Sequence, residues 1–167
     1  MTRASVEHEL KEFADKAGRL LLKKKNTIAV AESVTAGNVQ AVFSLAKDAT
    51  AFFQGGITAY NIGQKCRHLL VEPTHAIECN CVSKTISDKI AVEVCHLFCS
   101  DYGIGITGYA SPVPEENINK LFAYLSIANN NRALLSKKIS TQLLEPKDVQ
   151  LFYTHQALKM LISILGK

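Results

Sequence analysis

The sequence predicts an α/β fold: a three-layer α/β/α sandwich around a largely parallel, mixed sheet. Three observations lead there. Short apolar runs at 27–31, 57–60 and 102–107 alternate with stretches whose apolar residues recur at helical spacing. Two longer apolar runs, 121–128 and 133–140, follow each other across Asn129-Asn130-Asn131 and read as a closing hairpin. No low-complexity tract or internal repeat interrupts the 167 residues, so residues 1–167 are expected to form one domain. Helices on both faces of the sheet, with an antiparallel edge, satisfy this order.

Taken in order, Val6, Leu10, Phe13, Ala17, Leu20 and Leu21 give the first helix one apolar face. Lys23-Lys24-Lys25 is its solvated end, favoured there by the helix dipole. Thr27–Ala31 reads as a buried strand, and 35–46 as the second helix. Gly55-Gly56 precedes a strand over Ile57–Tyr60, followed by a short helix from Ile62 to Leu70, and Pro73 interrupts the chain. Ser83 suits the N-cap of a helix over Lys84–Cys99, whose stripe is Ile86, Ile90, Val94, Leu97 and Phe98. Tyr102–Thr107 is the next strand. Ser111–Asn119, with two prolines, is a surface loop. After the hairpin, Pro146 starts the last helix.

Composition narrows the function classes. Hydrophobic residues make up 47% and charged ones 20%, the balance of a soluble globular protein. A net charge of +4 without a basic, aromatic-laced stripe argues against a nucleic-acid partner. No apolar run is long enough for a membrane span, and the charged stretch 6–16 is unlike a signal peptide. Five cysteines, an odd number, suit a reduced cytoplasmic protein. Cys79-Asn80-Cys81 lacks the spacing of a zinc ligand pair, so no metal site is expected.

Three places carry chemistry-bearing residues: Glu32-Ser33-Val34-Thr35, then Gly55–Tyr60 with Lys65 beyond it, and Thr107–Pro112. Each lies at or just past the C-terminal end of an expected strand, the edge where open α/β sheets bind ligands. The turn from strand to helix after Glu32 is also expected to aim free helix N–H groups at an anion. A serine hydroxyl needs a base to become a nucleophile. A partly desolvated lysine such as Lys65 can serve, with Tyr60 relaying the proton or orienting the lysine. The plainer reading is that Ser33 or Thr35 caps a helix, Tyr60 ends a strand and Lys65 lies on the surface.

Ala31-Glu32-Ser33-Val34-Thr35-Ala36-Gly37 resembles the Ala-Glu-Ser-Cys-Thr-Gly-Gly motif of the CinA C-terminal domain family, which includes nicotinamide mononucleotide deamidases. Phe53, Gly55, Gly56, Tyr60 and Lys65 keep that family's Phe-x-Gly-Gly spacing and the tyrosine and lysine beyond it. Cys81-Val82-Ser83 is similar to the family's Ala-Val-Ser, and Thr107–Pro112 to its Thr/Ser-Gly-Ile-Ala-Gly-Pro. The resemblance implies a metal-independent amidohydrolase without a cofactor, taking a small nucleotide like nicotinamide mononucleotide. It implies Ser33, Tyr60 and Lys65 as catalytic residues, with Glu32, Thr35, Gly37, Gly55, Gly56, Thr107 and Gly108 shaping the pocket. It also implies a homo-oligomer.

The chain departs from the family pattern at two places. Val113–Lys120 lacks the Gly-rich turn and the Lys-Pro-Val-Gly segment, and brings Glu115 and Glu116. Glu145–Gln150 lacks both arginines of Gly-Asp-Arg-x-x-Val/Ile-Arg; Lys147 and Gln150 stand there instead. Arginine's fork suits phosphate in a way lysine does not. The competing expectation is therefore a non-catalytic nucleotide-binding or interaction domain.

Overall fold

The computed structural model describes residues 3–167. Five strands form one sheet: β1 (Ile28–Glu32), β2 (Phe53–Thr58), β3 (Tyr102–Gly108), β4 (Leu121–Asn129) and β5 (Arg132–Thr141). Their order is β2-β1-β3-β4-β5. β1 pairs in parallel with both β2 and β3. β4 runs antiparallel to β3 and β5, so the sheet is mixed. The β4–β5 turn places Asn130 at φ 49°, a backbone shape that Asn tolerates.

Six helices cover the two faces: α1 (Arg3–Lys23), α2 (Asn38–Ser44), α3 (Ile62–Leu69), α4 (Pro73–Glu78), α5 (Lys84–Phe98) and α6 (Pro146–Leu165). Strand periodicity assigns the faces. Ile28 and Val30 of β1 point into the core shared with α1, α2 and α6, where Leu10, Leu21, Phe43 and Tyr153 are fully buried. Ala29 and Ala31 point the other way, toward α3, α4 and α5. β3 repeats the pattern with Ile104 and Ile106 on the first face and Gly103 and Gly105 on the second. A Cβ at Gly103 would lie 2.1 Å from the Ala91 carbonyl oxygen, so α5 packs directly on bare backbone there. α1 and α6 are also clasped at one end by Arg3, whose Nε donates to Asp148 at 2.9 Å.

Four expectations need correction. The second helix starts at Asn38 rather than Thr35, because 34–37 forms a turn with Ala36 and Gly37 in left-handed conformations (φ 51° and 92°). Gly55 and Gly56 lie inside β2, which runs from Phe53 and ends at Thr58. Pro73 does not break the chain; it opens α4, where the Glu72 carboxylate accepts from the Thr74 and His75 N–H groups. Finally, neither Ser33 nor Thr35 caps α2, for the reason given below. The Ser83 cap is as the sequence predicts: its hydroxyl accepts from the Ile86 N–H at 3.2 Å. Among the described residues no helix is long and apolar enough to cross a membrane.

Candidate active site

The parallel strands β2, β1 and β3 end side by side, Glu32 standing between Thr58 and Ile106. The chain leaving each strand bounds one cavity of about 470 Å³. Ser33 and Val34 come from the end of β1, Tyr60 and Asn61 from the β2–α3 connection, Ile62 and Lys65 from α3, and Thr107 to Ser111 from the end of β3. Asn80, Cys81 and Val82, between α4 and α5, close the fourth side, with Val113.

Ser33 is 7% exposed and its N–H donates to the Ile106 carbonyl at 3.1 Å, which ties the turn to β3. Its hydroxyl makes no hydrogen bond among the described residues. The next two N–H groups, of Val34 and Thr35, are likewise without acceptors among the described residues. Lys65 is 2% exposed. Its Nζ donates weakly to the Tyr60 carbonyl at 3.4 Å, and no carboxylate pairs with it among the described residues. Burial lowers its pKa from the ordinary lysine value; the neighbouring thiols Cys81 and Cys66 oppose that shift. The shift is toward the neutral amine, the form that can act as a base.

Tyr60 lies on the lining but is 71% exposed. Its carbonyl, not its hydroxyl, meets Lys65, and the hydroxyl bonds to nothing among the described residues. Thr107 is 1% exposed, and its hydroxyl donates to the Cys81 carbonyl at 2.7 Å. That bond holds the Asn80–Cys81 wall, where both residues are left-handed (φ 47° and 57°). Gly108 lines the cavity with its back against β4: a Cβ would lie 2.5 Å from the Phe122 carbonyl oxygen.

The remaining expected site residues do other work. Glu32 is 1% exposed, and its carboxylate accepts from the N–H groups of Gly37 (3.0 Å), Val39 (3.1 Å) and Gln40 (2.8 Å). The protein's own carboxylate thus fills the anion seat at the start of α2, where the N–H groups from Gly37 to Ala41 all have acceptors among the described residues. This is also why no hydroxyl caps α2. Thr35 is fully buried, with its Oγ1 unpartnered among the described residues, and lies off the lining. Gly37 supplies the left-handed turn into α2. Gly55 and Gly56 also lie off the lining: they let β2 pass beneath Phe98 and against the Val30 carbonyl, where a Cβ would come within 2.9 Å and 2.5 Å. Lys147 donates to Asn38 Oδ1 at 2.6 Å, and the Asn38 amide donates to Gln150 Oε1 at 3.3 Å, so both side chains are engaged at the start of α2.

Sequence reasoning did not pick out Asn80, Cys81 and Val82 as walls, nor Asn61 and Ile62. Cys81 stood out as half of a poor metal pair and, with Val82, in the stretch similar to the family's Ala-Val-Ser, but not as a wall. Its left-handed backbone had no signal in the sequence, since nothing but tertiary packing requires it.

Comparison with known proteins places these observations. A model of the CinA C-terminal domain matches residues 10–165. A CinA-like protein of Picosynechococcus is 36% identical over 100 residues, 60% of this chain and 24% of the relative. A putative competence-damage inducible protein of Streptococcus pneumoniae is 36% identical over 92 residues, 55% of this chain and 22% of the relative. The chain thus matches only about a quarter of the length of these curated relatives. Among solved structures, a competence-damaged protein (CinA) superfamily protein from Klebsiella pneumoniae superposes with TM-score 0.88 at 20% identity, covering 94% of this chain and 98% of that one. A competence/damage inducible protein from Agrobacterium tumefaciens gives 0.85 at 19% identity, covering 95% and 96%. At such identities the likeness is one of fold.

Proposed function

The chain belongs to the CinA C-terminal domain family, and from that premise we propose that it is a metal-independent amidohydrolase of the nicotinamide mononucleotide deamidase kind. One observation carries the reading: a serine whose hydroxyl is free and a buried lysine without a counter-ion, both among the described residues, share the wall of one cavity. In this reading neutral Lys65 takes the proton of Ser33 as the hydroxyl oxygen attacks the carboxamide carbon. The carbonyl oxygen becomes an oxyanion, for which the unpaired Val34 N–H directly after Ser33 is the candidate donor. Collapse expels ammonia, with the proton returned by Lys65, and leaves an ester on Ser33. Water then attacks that ester, again through Lys65, and releases the carboxylate. The balance is carboxamide plus water to carboxylate plus ammonium.

A non-catalytic nucleotide-binding domain is the other reading, and it needs a seat for the anion. The start of α2 does not provide one, because Glu32 occupies it. Ammonia release from nicotinamide mononucleotide in the presence of a chelator, beside Ser33→Ala, tests the proposal. Release that vanishes in a folded Ser33→Ala variant is the expected result, and wild-type turnover in that variant would sink it.

A further inference from the structure

The mechanism above uses none of the five thiols, and the fold gives them different surroundings. Cys81 and Cys95 are buried, and burial pushes both thiols up, Cys95 to about 11. Such thiols stay protonated near neutral pH and are poor nucleophiles. Cys66 is half-buried on α3, packed against the core of that face. Cys99 is the exposed one. Its Sγ meets the His96 carbonyl at 3.9 Å, while the His96 ring is held by Glu93 at 3.4 Å and Asn131 at 2.9 Å.

Cys79 differs. It closes α4 and lines a cleft of about 480 Å³ beside the catalytic cavity, the two sharing Asn80, Val82 and Tyr109. Its thiol donates to the His75 carbonyl at 3.0 Å, one helical turn back, and its Sγ lies 3.8 Å from His75 Nε2. Rotation about the Cβ–Sγ bond turns the thiol proton from the carbonyl to that nitrogen. The same Nε2 lies 3.2 Å from Ser83 Oγ. This oxygen already accepts from the Ile86 N–H, and its own proton is free to point at Nε2, which suits the tautomer with Nε2 unprotonated. The Glu72 carboxylate, which accepts from the His75 N–H at 2.6 Å, favours the imidazolium once a proton is taken. A thiol, an imidazole, a hydroxyl and a carboxylate thus meet beside a cleft of small-molecule size.

We infer that Cys79 is a thiol–disulfide exchange site, with His75 as its base, and that the cleft admits small disulfides to it. His75 Nε2 takes the thiol proton as Cys79 Sγ attacks one sulfur of the disulfide. The other sulfur leaves with the bonding pair and takes the proton from the imidazolium. The sum is Cys79 thiol plus disulfide to mixed disulfide plus small thiol, and the disulfide itself is the oxidant. The adduct stands in the cleft next to Asn80, which donates to Glu116 at 2.6 Å and walls the catalytic cavity. The site does not depend on the amidohydrolase reading. The test treats the fully reduced protein with hydroxyethyl disulfide, a small neutral probe, near neutral pH and follows each thiol by peptide mass spectrometry. Exposure alone would send the adduct to Cys99 first. Expected instead is Cys79 first, at least about tenfold faster than Cys99, with release of the adduct by dithiothreitol. In His75→Gln the Cys79 rate should drop to about that of Cys99, while Cys81 and Cys95 stay protected as they are in the folded protein. First modification at Cys99, Cys66 or Cys81 of the wild-type protein overturns the inference without any variant. A Cys79 rate untouched in folded His75→Gln overturns it as well.

Discussion

Lys65 shows at the scale of one residue how function and stability pull apart. Burial disfavours its charged form, so its pKa is lower in the folded chain than in the unfolded one. The unfolded state then binds the extra proton, and folding carries a penalty that is full below the folded pKa. The penalty shrinks as pH rises toward the ordinary value of 10.5 and is gone above it. Lys65→Met removes the penalty at similar volume. It should abolish turnover while raising Tm at neutral pH by roughly 2–4 °C for each kcal/mol gained, measurable by calorimetry. The gain should fade in alkaline buffer. Tyr60 offers a second prediction. Because its carbonyl is what meets Lys65, Tyr60→Phe should cost less than about tenfold in kcat, whereas a proton relay would cost about a hundredfold or more. The motif spacing of Ser33, Tyr60 and Lys65 is local, and the three line one cavity. The role of Glu32 was not legible. A carboxylate ahead of the turn reaches over it to three N–H groups, which reverses the usual cap in which a residue at the helix start does this work.

At the scale of elements, the β1–α2 turn is the part the sequence described least well. Apolar spacing from 39 to 46 looks helical from Thr35 onward, yet two left-handed residues delay the helix to Asn38. Periodicity does not see backbone sign. The turn's stability depends on Glu32, so Glu32→Ala should cost about 1–3 kcal/mol by leaving buried N–H groups unpaired, read as a lower denaturant midpoint. Activity should fall with it, because the turn that Glu32 pins also carries Ser33. α4 was hidden for a related reason. Pro73 reads as an interruption, and only the Glu72 carboxylate capping from outside makes it a first helical residue. By contrast, α5 was legible at its start, since a serine cap and a regular apolar stripe state the same boundary.

For the whole molecule, alternation of strands and helices was enough to name the layers. The order β2-β1-β3-β4-β5 was not, because pairing between distant strands leaves no local mark. That order is what matters for the site: it places β1 between β2 and β3, so that Ser33 past β1, Thr107 at the end of β3 and Lys65 on the helix that follows β2 meet at one cavity. The fourth wall, Asn80–Val82, arrives from the α4–α5 connection, far along the chain from any strand end, and so lay outside the rule that located the rest. On the proposed function, this convergence makes Lys65 the buried base for Ser33. The measurement that tests it most directly is the pH dependence of kcat/KM for ammonia release, from about pH 6 to 10. Expected is a rate that rises with pH and levels off at an apparent pKa below the ordinary lysine value, with Lys65→Met slow at every pH. A rate independent of pH across that range, or a Lys65→Met variant as fast as wild type, would contradict it.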